Sequence, residues 1–179
     1  NSTTNKFEGM LPKSDDTVSI GNGYWIFLNA DGTPLKTGTS VTPEALDMDA
    51  DGDLDLVIGT RSAGVFMVLN EGSRREPRWA TEPTRLLTAA GERIEGSNAH
   101  HADWDGDGRR DLIVGNESGG VRWYRNLGHN DSPTYGVAAT LVETRPYQER
   151  NESDGPSGPG SRTKVHVTDW NGDGLVDLL

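Results

Sequence analysis

Short apolar runs rich in β-branched residues recur along the chain, and glycine, asparagine and aspartate separate them. The clearest are "DLVIGT" at 55–60 and "DLIVGN" at 111–116, and each is followed by a glycine turn and another apolar run. No extended 3.6-residue periodicity accompanies them. The pattern predicts an all-β fold, with strands around 43–46, 55–59, 65–69, 99–102, 111–115, 121–125 and 165–168 and two more around "TRLLT" and "ATLVE".

These strands belong to a unit that repeats within the chain. The segments "LDMDADGDLDLVIG", "ADWDGDGRRDLIVG" and "TDWNGDGLVDLL" align on Asp47, Asp103 and Asp169, and "GVFMVLNEGSRREPRW" aligns with "GVRWYRNLGHNDSPTY" downstream. A weaker copy contains "TVSIGNGYWIFLNADGTP". We therefore interpret residues 1–179 as part of one domain, with a partial unit at about 13–40, a unit at about 41–97, a unit at about 98–162 that includes an insertion at 151–162, and the start of another at 163–179.

The charge of the chain is concentrated in three loops. There are 28 acidic and 17 basic residues, a net charge of −11, and outside the three aligned segments the chain is close to neutral. This distribution disfavours nucleic acid as a partner. No apolar run is long enough for a membrane span. Because cysteine is absent, any metal site must use oxygen or imidazole ligands.

Oxygen-bearing side chains alternate along each loop. Counted from the first aspartate, they occupy positions 1, 3, 5 and 9, position 6 is always glycine, and position 7 could offer a backbone carbonyl. Carboxylates that converge around a glycine turn provide the oxygen-only shell that Ca²⁺ requires, so we predict about three calcium sites. The candidate ligands are Asp47, Asp49, Asp51, Asp53 and Asp55 in the first loop, Asp103, Asp105, Asp107, Arg109 and Asp111 in the second, and Asp169, Asn171, Asp173, Leu175 and Asp177 in the third.

Three alternatives fit these loops less well. An EF-hand needs flanking helices and a bidentate glutamate at position 12, whereas position 12 is Ile58 in the first loop and Val114 in the second. Mg²⁺ usually binds fewer protein oxygens than the loops offer. Simple Asp/Gly turns without a metal could explain one such loop but not three in register.

The pattern D-x-D-x-D-G-x-x-D-L between strands, followed by a hairpin and Asn-x-Gly, resembles the FG-GAP and VCBS-type repeats of calcium-binding β-propellers, including integrin-α-like heads. The resemblance covers about 17–179. It implies blades of four antiparallel strands around a central axis, with calcium in the loop that joins the first two strands of a blade. The unit near the N-terminus lacks this loop, and Asn171 in place of an aspartate leaves the third site one charge weaker.

Large apolar residues occupy fixed positions in the repeat. We expect positions 2 and 10 to point away from the ion and to pack between layers, and Trp79 and Tyr135 to cover blade edges. Sugar binding is the alternative role of the aromatic residues. Position 2 is Met48, Trp104 and Trp170, and position 10 is Leu56, Leu112 and Leu178.

A second candidate cluster precedes the loops. Glu44, His100 and His166 each stand three residues before a first aspartate. In the arrangement that the resemblance implies, the strand before the loop lies nearest the axis, so these residues could face the central channel as a metal or acid–base cluster. Hydrogen-bonded packing is the alternative. His101, next to His100, is expected on the opposite face of its strand.

The repeat count implies an incomplete ring. Propellers close with about 4–8 blades, so the remainder of a longer chain or another copy would have to complete this one. We expect a secreted, calcium-binding module at the cell surface or outside the cell, used for adhesion or for binding a protein or polysaccharide, because weak calcium sites fill where calcium is plentiful. No catalytic residue is assigned. The alternatives are part of a secreted propeller-fold polysaccharide lyase, and a structural subunit of a surface layer or filament.

Overall fold

The computed structural model describes residues 31–33, 37, 41–61, 63–144 and 163–179. Within these ranges every regular element is a β-strand, and all pairings between strands are antiparallel, which confirms the predicted all-β fold. The same ranges contain no helix long and apolar enough to cross a membrane. Most of the predicted partial unit at 13–40 and the whole insertion at 151–162 lie outside the described residues.

Two four-stranded sheets follow each other along the chain, and in each the spatial order of the strands is their order in the sequence. A third sheet has two described strands. The first sheet contains β1 (Thr42–Leu46), β2 (Asp55–Thr60), β3 (Gly64–Val68) and β4 (Thr84–Arg85), the second contains β5 (Asn98–Ala102), β6 (Asp111–Gly115), β7 (Val121–Tyr124) and β8 (Ala139–Val142), and the third contains β9 (Val167–Thr168) and β10 (Asp177–Leu178).

The acidic loops occupy the same place in all three sheets. Each loop joins the first strand of a sheet to the second, and the last residue of the first strand pairs with the aspartate at position 9 of the loop. This is the arrangement of blades in an incomplete propeller. The pairs that close the loops are Leu46 with Asp55, Ala102 with Asp111 and Thr168 with Asp177.

Apolar clusters fill the space between successive sheets. One cluster combines Val57 of β2 with Leu112 of β6, and another combines Ile113 of β6 with Val167 of β9. Every residue of β2 and β6 is buried, because these strands lie inside their sheets and contact apolar layers. Burial of each such side chain contributes about 1.5–3 kcal/mol, so stacking of the sheets is the main source of stability.

The large residues at position 2 differ in their burial. Met48 is 2% exposed and Trp104 is partly buried against the cluster between the second and third sheets, but Trp170 is 74% exposed. The expectation that Trp170 packs between layers is therefore wrong for the described residues. The third sheet has two described strands, so the described part of the chain supplies no outer layer for this indole.

The other predicted packing residues are buried to different degrees. Leu56 and Leu112 are buried at position 10, whereas Leu178 is partly buried. Trp79 packs with Leu56 on one face of the first sheet, and Tyr135 joins the cluster between the first and second sheets. Both aromatic rings therefore belong to the apolar layers.

Candidate metal sites

The first and second acidic loops each bring three carboxylates together. In each group, one oxygen of every member lies within 4.8 Å of an oxygen of the others. The members are positions 1, 3 and 9 of the loop, and among the described residues these are the two groups of this kind. They are Asp47, Asp49 and Asp55 in the first loop, and Asp103, Asp105 and Asp111 in the second.

The glycine at position 6 gives the loops their shape. Its φ angle is 94° at Gly52, 86° at Gly108 and 87° at Gly174, a region that other residues rarely adopt. The turn directs the glycine N–H to the carboxylate at position 1, over 3.1 Å in the first loop and 2.9 Å in the other two. One oxygen of the first aspartate is thus held by the backbone in every loop.

A hydrogen bond joins positions 5 and 7 in each loop. In every loop the N–H of position 7 donates to Oδ1 of position 5, over 3.0 Å in the first loop and 2.9 Å in the second and third. Position 7 therefore shapes the loop through its backbone whatever its side chain. Its predicted carbonyl ligand, and the ligand role of position 5, stay predictions. The pairs are Asp51 with Asp53, Asp107 with Arg109 and Asp173 with Leu175.

The aspartate at position 9 is the buried anchor of the first and second loops. Asp55 accepts hydrogen bonds of 2.8 Å from the backbone N–H groups of Met48 and Asn70. Asp111 is fully buried and accepts one of 2.7 Å from the N–H of Asn126. Burial raises the pKa of both carboxyls, and neighbouring carboxylates add to the effect. The negative charge of each loop is therefore costly without a nearby cation.

The first loop contains carboxylate oxygens that no described donor reaches. Oδ1 of Asp47 and Oδ1 of Asp53 are both buried and have no hydrogen-bond partner among the described residues. Burial raises the pKa of Asp53, and the charge of Asp51 raises it further. A buried, unpartnered anionic oxygen is unfavourable unless a cation compensates it. The residues of this loop thus fit a hard cation, and calcium is compatible with them.

The second loop differs because arginines contact its carboxylates. Arg125 Nε lies 2.7 Å from Asp105 Oδ2, and Arg125 Nη2 lies 2.9 Å from Asp107 Oδ2. The guanidinium of Arg109 also contacts Asp107. Burial alone would raise the pKa of Asp107, but the hydrogen bonds from Arg109 and Arg125 lower it overall. The second loop therefore carries positive charge of its own.

The third loop is more open than the other two. Asp169, Asn171, Asp173 and Leu175 are all exposed, and Asn171 Nδ2 donates to Asp173 Oδ2 over 3.0 Å. The loop is not among the groups of three converging acidic side chains found in the described residues. Replacement of an aspartate by Asn171 explains this in part, because an amide brings no charge to the site. The third calcium site stays a prediction.

Comparison with protein families finds a similarity that covers the second and third acidic loops. Residues 103–179 match the FG-GAP-like repeat. This FG-GAP-like segment begins at the first aspartate of the second acidic loop and contains the third loop as well. The match agrees with the sequence resemblance. A comparison with curated proteins found no match.

An asparagine after the third strand supports the acidic loop in the first and second sheets, a role that the sequence pattern alone did not assign. Asn126 Oδ1 accepts the N–H groups of Gly128 and Thr134, over 2.9 and 3.1 Å. Its own N–H donates to the buried Asp111, and Asn70 has the equivalent contact in the first sheet. The repeated Asn-x-Gly motif was the available signal.

The cluster predicted from Glu44, His100 and His166 is present, with a further member. Glu44 Oε1 lies 3.1 Å from His100 Nδ1, and the rings of His100 and His166 lie 4.7 Å apart between centroids. The further member is His101, whose Nδ1 lies 2.6 Å from Glu44 Oε2. Glu44 extends from the neighbouring sheet to the backbone of β5, where it also accepts the N–H of His101 over 3.0 Å. The two histidines otherwise have different neighbours, His166 for His100 and Tyr135 for His101, as expected for opposite faces of one strand.

These contacts use both oxygens of Glu44. Burial alone would raise the pKa of Glu44, but hydrogen bonds from His100 and His101 lower it to about 2. The same contact raises the pKa of His100. His101 Nε2 lies 2.9 Å from the hydroxyl of Tyr135. The cluster thus connects the first and second sheets through polar contacts, and it does not have the spacing of a metal site within the described residues.

A polar pocket of about 310 Å³ lies between the first two sheets, at the end away from the acidic loops. Arg61, Arg93 and Arg122 line it together with glutamates, and Arg61 forms an ion pair of 3.4 Å with Glu117. The hydroxyl of Ser97 is buried at the pocket wall and has no hydrogen-bond partner among the described residues. The lining suits a hydrophilic group.

Proposed function

We propose that this chain is part of an extracellular calcium-binding β-propeller module. In this function the acidic loops hold calcium, and the blades present a rigid surface to a protein or polysaccharide. The observation that carries the proposal is the convergence of three carboxylates in a loop where Asp47 and Asp53 have buried, unpartnered oxygens. The FG-GAP-like match supports the same role.

The physical reason is the repulsion among the carboxylates. Two unit charges 4 Å apart interact by about 1 kcal/mol in bulk water and by about 4 kcal/mol at the lower effective dielectric constant near a protein surface. One oxygen each of Asp47, Asp49 and Asp55 lies within 4.8 Å of the others, close to this separation, and Asp55 is buried. A divalent cation supplies the positive charge that lets the loop keep this geometry. Calcium would thus stabilise the junction between the first two strands of each blade.

An extracellular location is part of the proposal. Partly exposed loops such as these suit weak sites, with dissociation constants of about 10⁻⁴–10⁻³ M, which are filled outside cells where calcium is plentiful. Asp49, the position-3 member of the first group, is exposed, and the side chain of its counterpart Asp105 is 22% exposed. In a compartment with little calcium the loops would retain their repulsion. This supports secretion or display at the cell surface.

The test is thermal unfolding in millimolar calcium and in excess chelator. With calcium at about ten times the dissociation constant of each of two weak sites, we expect the melting temperature to rise by about 5–10 °C. Asp49→Ala should remove the contribution of the first loop, and Asp105→Ala that of the second. Glu82→Ala, an exposed acidic residue outside the loops, is the control and should behave as wild type. Equal melting temperatures in calcium and chelator would refute the proposal.

The partner is proposed from the surface that the blades leave open. The polar pocket with Arg61, Arg93 and Arg122 supports a hydrophilic partner such as a polysaccharide. The third sheet exposes Trp170 and Leu175, which supports completion of the ring by the remainder of a longer chain or by another copy. Sedimentation in calcium distinguishes these two cases, because completion by another copy requires a dimer or larger assembly.

The lyase alternative depends on Glu44, His100 and His166. These residues do come together, but His100 and His101 occupy both Glu44 oxygens and His100 Nε2 lies 3.3 Å from the carbonyl oxygen of Val167. We therefore favour a structural role for them. Activity on an acidic polysaccharide that disappears in His100→Ala, with folding intact, would favour the enzyme instead.

A further inference from the structure

The first and second blades differ in the residue that follows their third strand. The aligned segments 64–70 and 120–126 place Leu69 in the first blade where the second has Arg125. Arg125 forms its two ion pairs with Asp105 and Asp107 of the second loop. Within the described part of the chain, no arginine, lysine or histidine forms an ion pair with a carboxylate of the first loop.

One arginine does contact the first loop, but through its backbone. Arg110 belongs to the second loop, and its Nη2 donates to the backbone carbonyl of Asp47 over 2.8 Å. This contact joins the two loops. It leaves the carboxylates of the first loop without a protein cation, and Oδ1 of Asp47 stays unpartnered among the described residues.

Calcium and the guanidinium of Arg125 would compete for the carboxylate of Asp105. It is one of the three converging members of the second loop, and its Oδ2 is 2.7 Å from Arg125 Nε. A calcium ion at this loop must share the carboxylate with the guanidinium or displace it. We propose that Arg125 is a built-in counter-ion that competes with calcium, so that the second loop binds calcium more weakly than the first. This inference rests on the proposed calcium function and concerns how its second site is tuned.

The exposure of the ion pairs determines how much Arg125 weakens calcium binding. The side chain of Arg125 is 46% exposed, and those of Asp105 and Asp107 are 22% and 19% exposed. Ion pairs near the surface contribute little, so calcium can displace the arginine at a modest cost. Two such pairs correspond to about a tenfold change in the dissociation constant. The second loop would then fill at higher calcium concentrations than the first, and the two sites would respond over a wider range than two identical ones.

The experiment measures each loop by itself in the full chain. Asp49→Ala with Asp173→Ala leaves the second loop as the predicted site, and Asp105→Ala with Asp173→Ala leaves the first. Calcium is titrated into each by calorimetry. In the protein that keeps the second loop, Arg125→Leu should lower the dissociation constant for calcium about tenfold. In the protein that keeps the first loop, Leu69→Arg should raise the dissociation constant about tenfold, because the new arginine introduces a competing charge at the equivalent position.

The control is Arg75→Leu, which removes an exposed arginine from a turn of the first blade and changes the net charge equally. It should leave calcium binding by the second loop unchanged. Terbium luminescence offers a readout in the otherwise wild-type chain, because Trp123 Nε1 lies 2.8 Å from Asp111 Oδ2 and its indole can sensitise an ion bound there. Arg125→Leu should shift the luminescence titration to lower terbium concentration, and Trp123→Phe should reduce its amplitude.

The outcomes separate the two proposals. An unchanged dissociation constant in Arg125→Leu, with calcium still bound by both loops, would overturn the role of Arg125 and leave the calcium function standing. Equal affinities of the two loops in the single-loop backgrounds would overturn it as well. Absence of calcium and terbium binding in the wild-type chain would overturn the calcium function and this inference together.

Discussion

Asn126 shows how a single side chain organises a blade. It is fully buried, its Oδ1 accepts two backbone N–H groups, and its Nδ2 donates to the carbonyl of His129 over 3.2 Å. Its backbone N–H also holds Asp111, the anchor of the second acidic loop. The residue therefore joins the turn after the third strand to the candidate calcium site. The equivalent Asn70 makes the same set of contacts in the first blade.

Asn126→Ala should therefore destabilise the protein. Removal of the amide leaves backbone groups of Gly128, Thr134 and His129 without their partner, at a cost of about 2 kcal/mol in the free energy of unfolding. Urea denaturation at constant calcium measures this change. Asp131→Ala alters an exposed residue of the same turn and should stay within about 0.5 kcal/mol of wild type. A variant at Asn126 as stable as the control would contradict this account.

At the scale of elements, local pattern predicts the strands well. The strand predicted at 111–115 is observed as Asp111–Gly115, because a short apolar run and its flanking turns are encoded within a few positions. The strand predicted at 165–168 is observed only as Val167–Thr168, although His166 still exchanges two backbone hydrogen bonds with Leu179.

The contacts of the candidate site were less predictable than its residues. The spacing of aspartates and glycines identified the loops, because that motif is contiguous in the sequence. The ion pair of Arg125 with Asp105 joins the residue after β7 to the acidic loop before β6, and it occurs at a position that varies between the repeats. Its existence depends on the register of β6 and β7, which the sequence alone does not specify.

Gly59 lies where β2 closely approaches the segment before β5. It lies in β2, and a Cβ atom there would lie 2.8 Å from the backbone carbon of Ser97, in the segment that leads to the second sheet. Gly59→Ala should therefore push the two sheets apart and cost about 1–3 kcal/mol, measured by chemical denaturation. Gly136→Ala is the matched control, since its Cβ would lie 3.5 Å from the carbonyl of Arg125, an ordinary contact. Equal stabilities of the two variants would show that the sheets can adjust.

At the scale of the whole molecule, polar contacts connect the first strands of all three sheets. Glu44 on β1 contacts His100 and His101 on β5, and His100 Nε2 lies 3.3 Å from the carbonyl oxygen of Val167 on β9. The apolar clusters supply most of the stability, but they do not depend on pH in this range. The polar contacts do, because Glu44 and His100 stabilise each other when both are charged.

The stability that Glu44 contributes should therefore depend on pH in a definite direction. The pKa of Glu44 falls from 4.5 to about 2, so its contribution is complete above pH 4.5 and is lost as the pH falls through about 2. The pKa of His100 is raised from 6.5, so its contribution is complete below pH 6.5 and is lost as the pH rises through the raised value. Both contributions are thus present between pH 4.5 and 6.5.

Glu44→Gln measures this contribution directly. In the window between pH 4.5 and 6.5, it should lower the free energy of unfolding by about 2 kcal/mol relative to wild type, and the difference should decrease at higher pH as His100 loses its proton. Wild type and variant are denatured at constant calcium from pH 4.5 into the alkaline range. The acidic loops titrate in the same way in both proteins, so their contribution cancels in the difference between the two free energies of unfolding. His101, His166 and Tyr135 face the same cluster and are unchanged in the variant. A difference that stays constant into alkaline pH would mean that Glu44 acts through neutral hydrogen bonds, and the connection between the sheets would then not depend on the charge of His100.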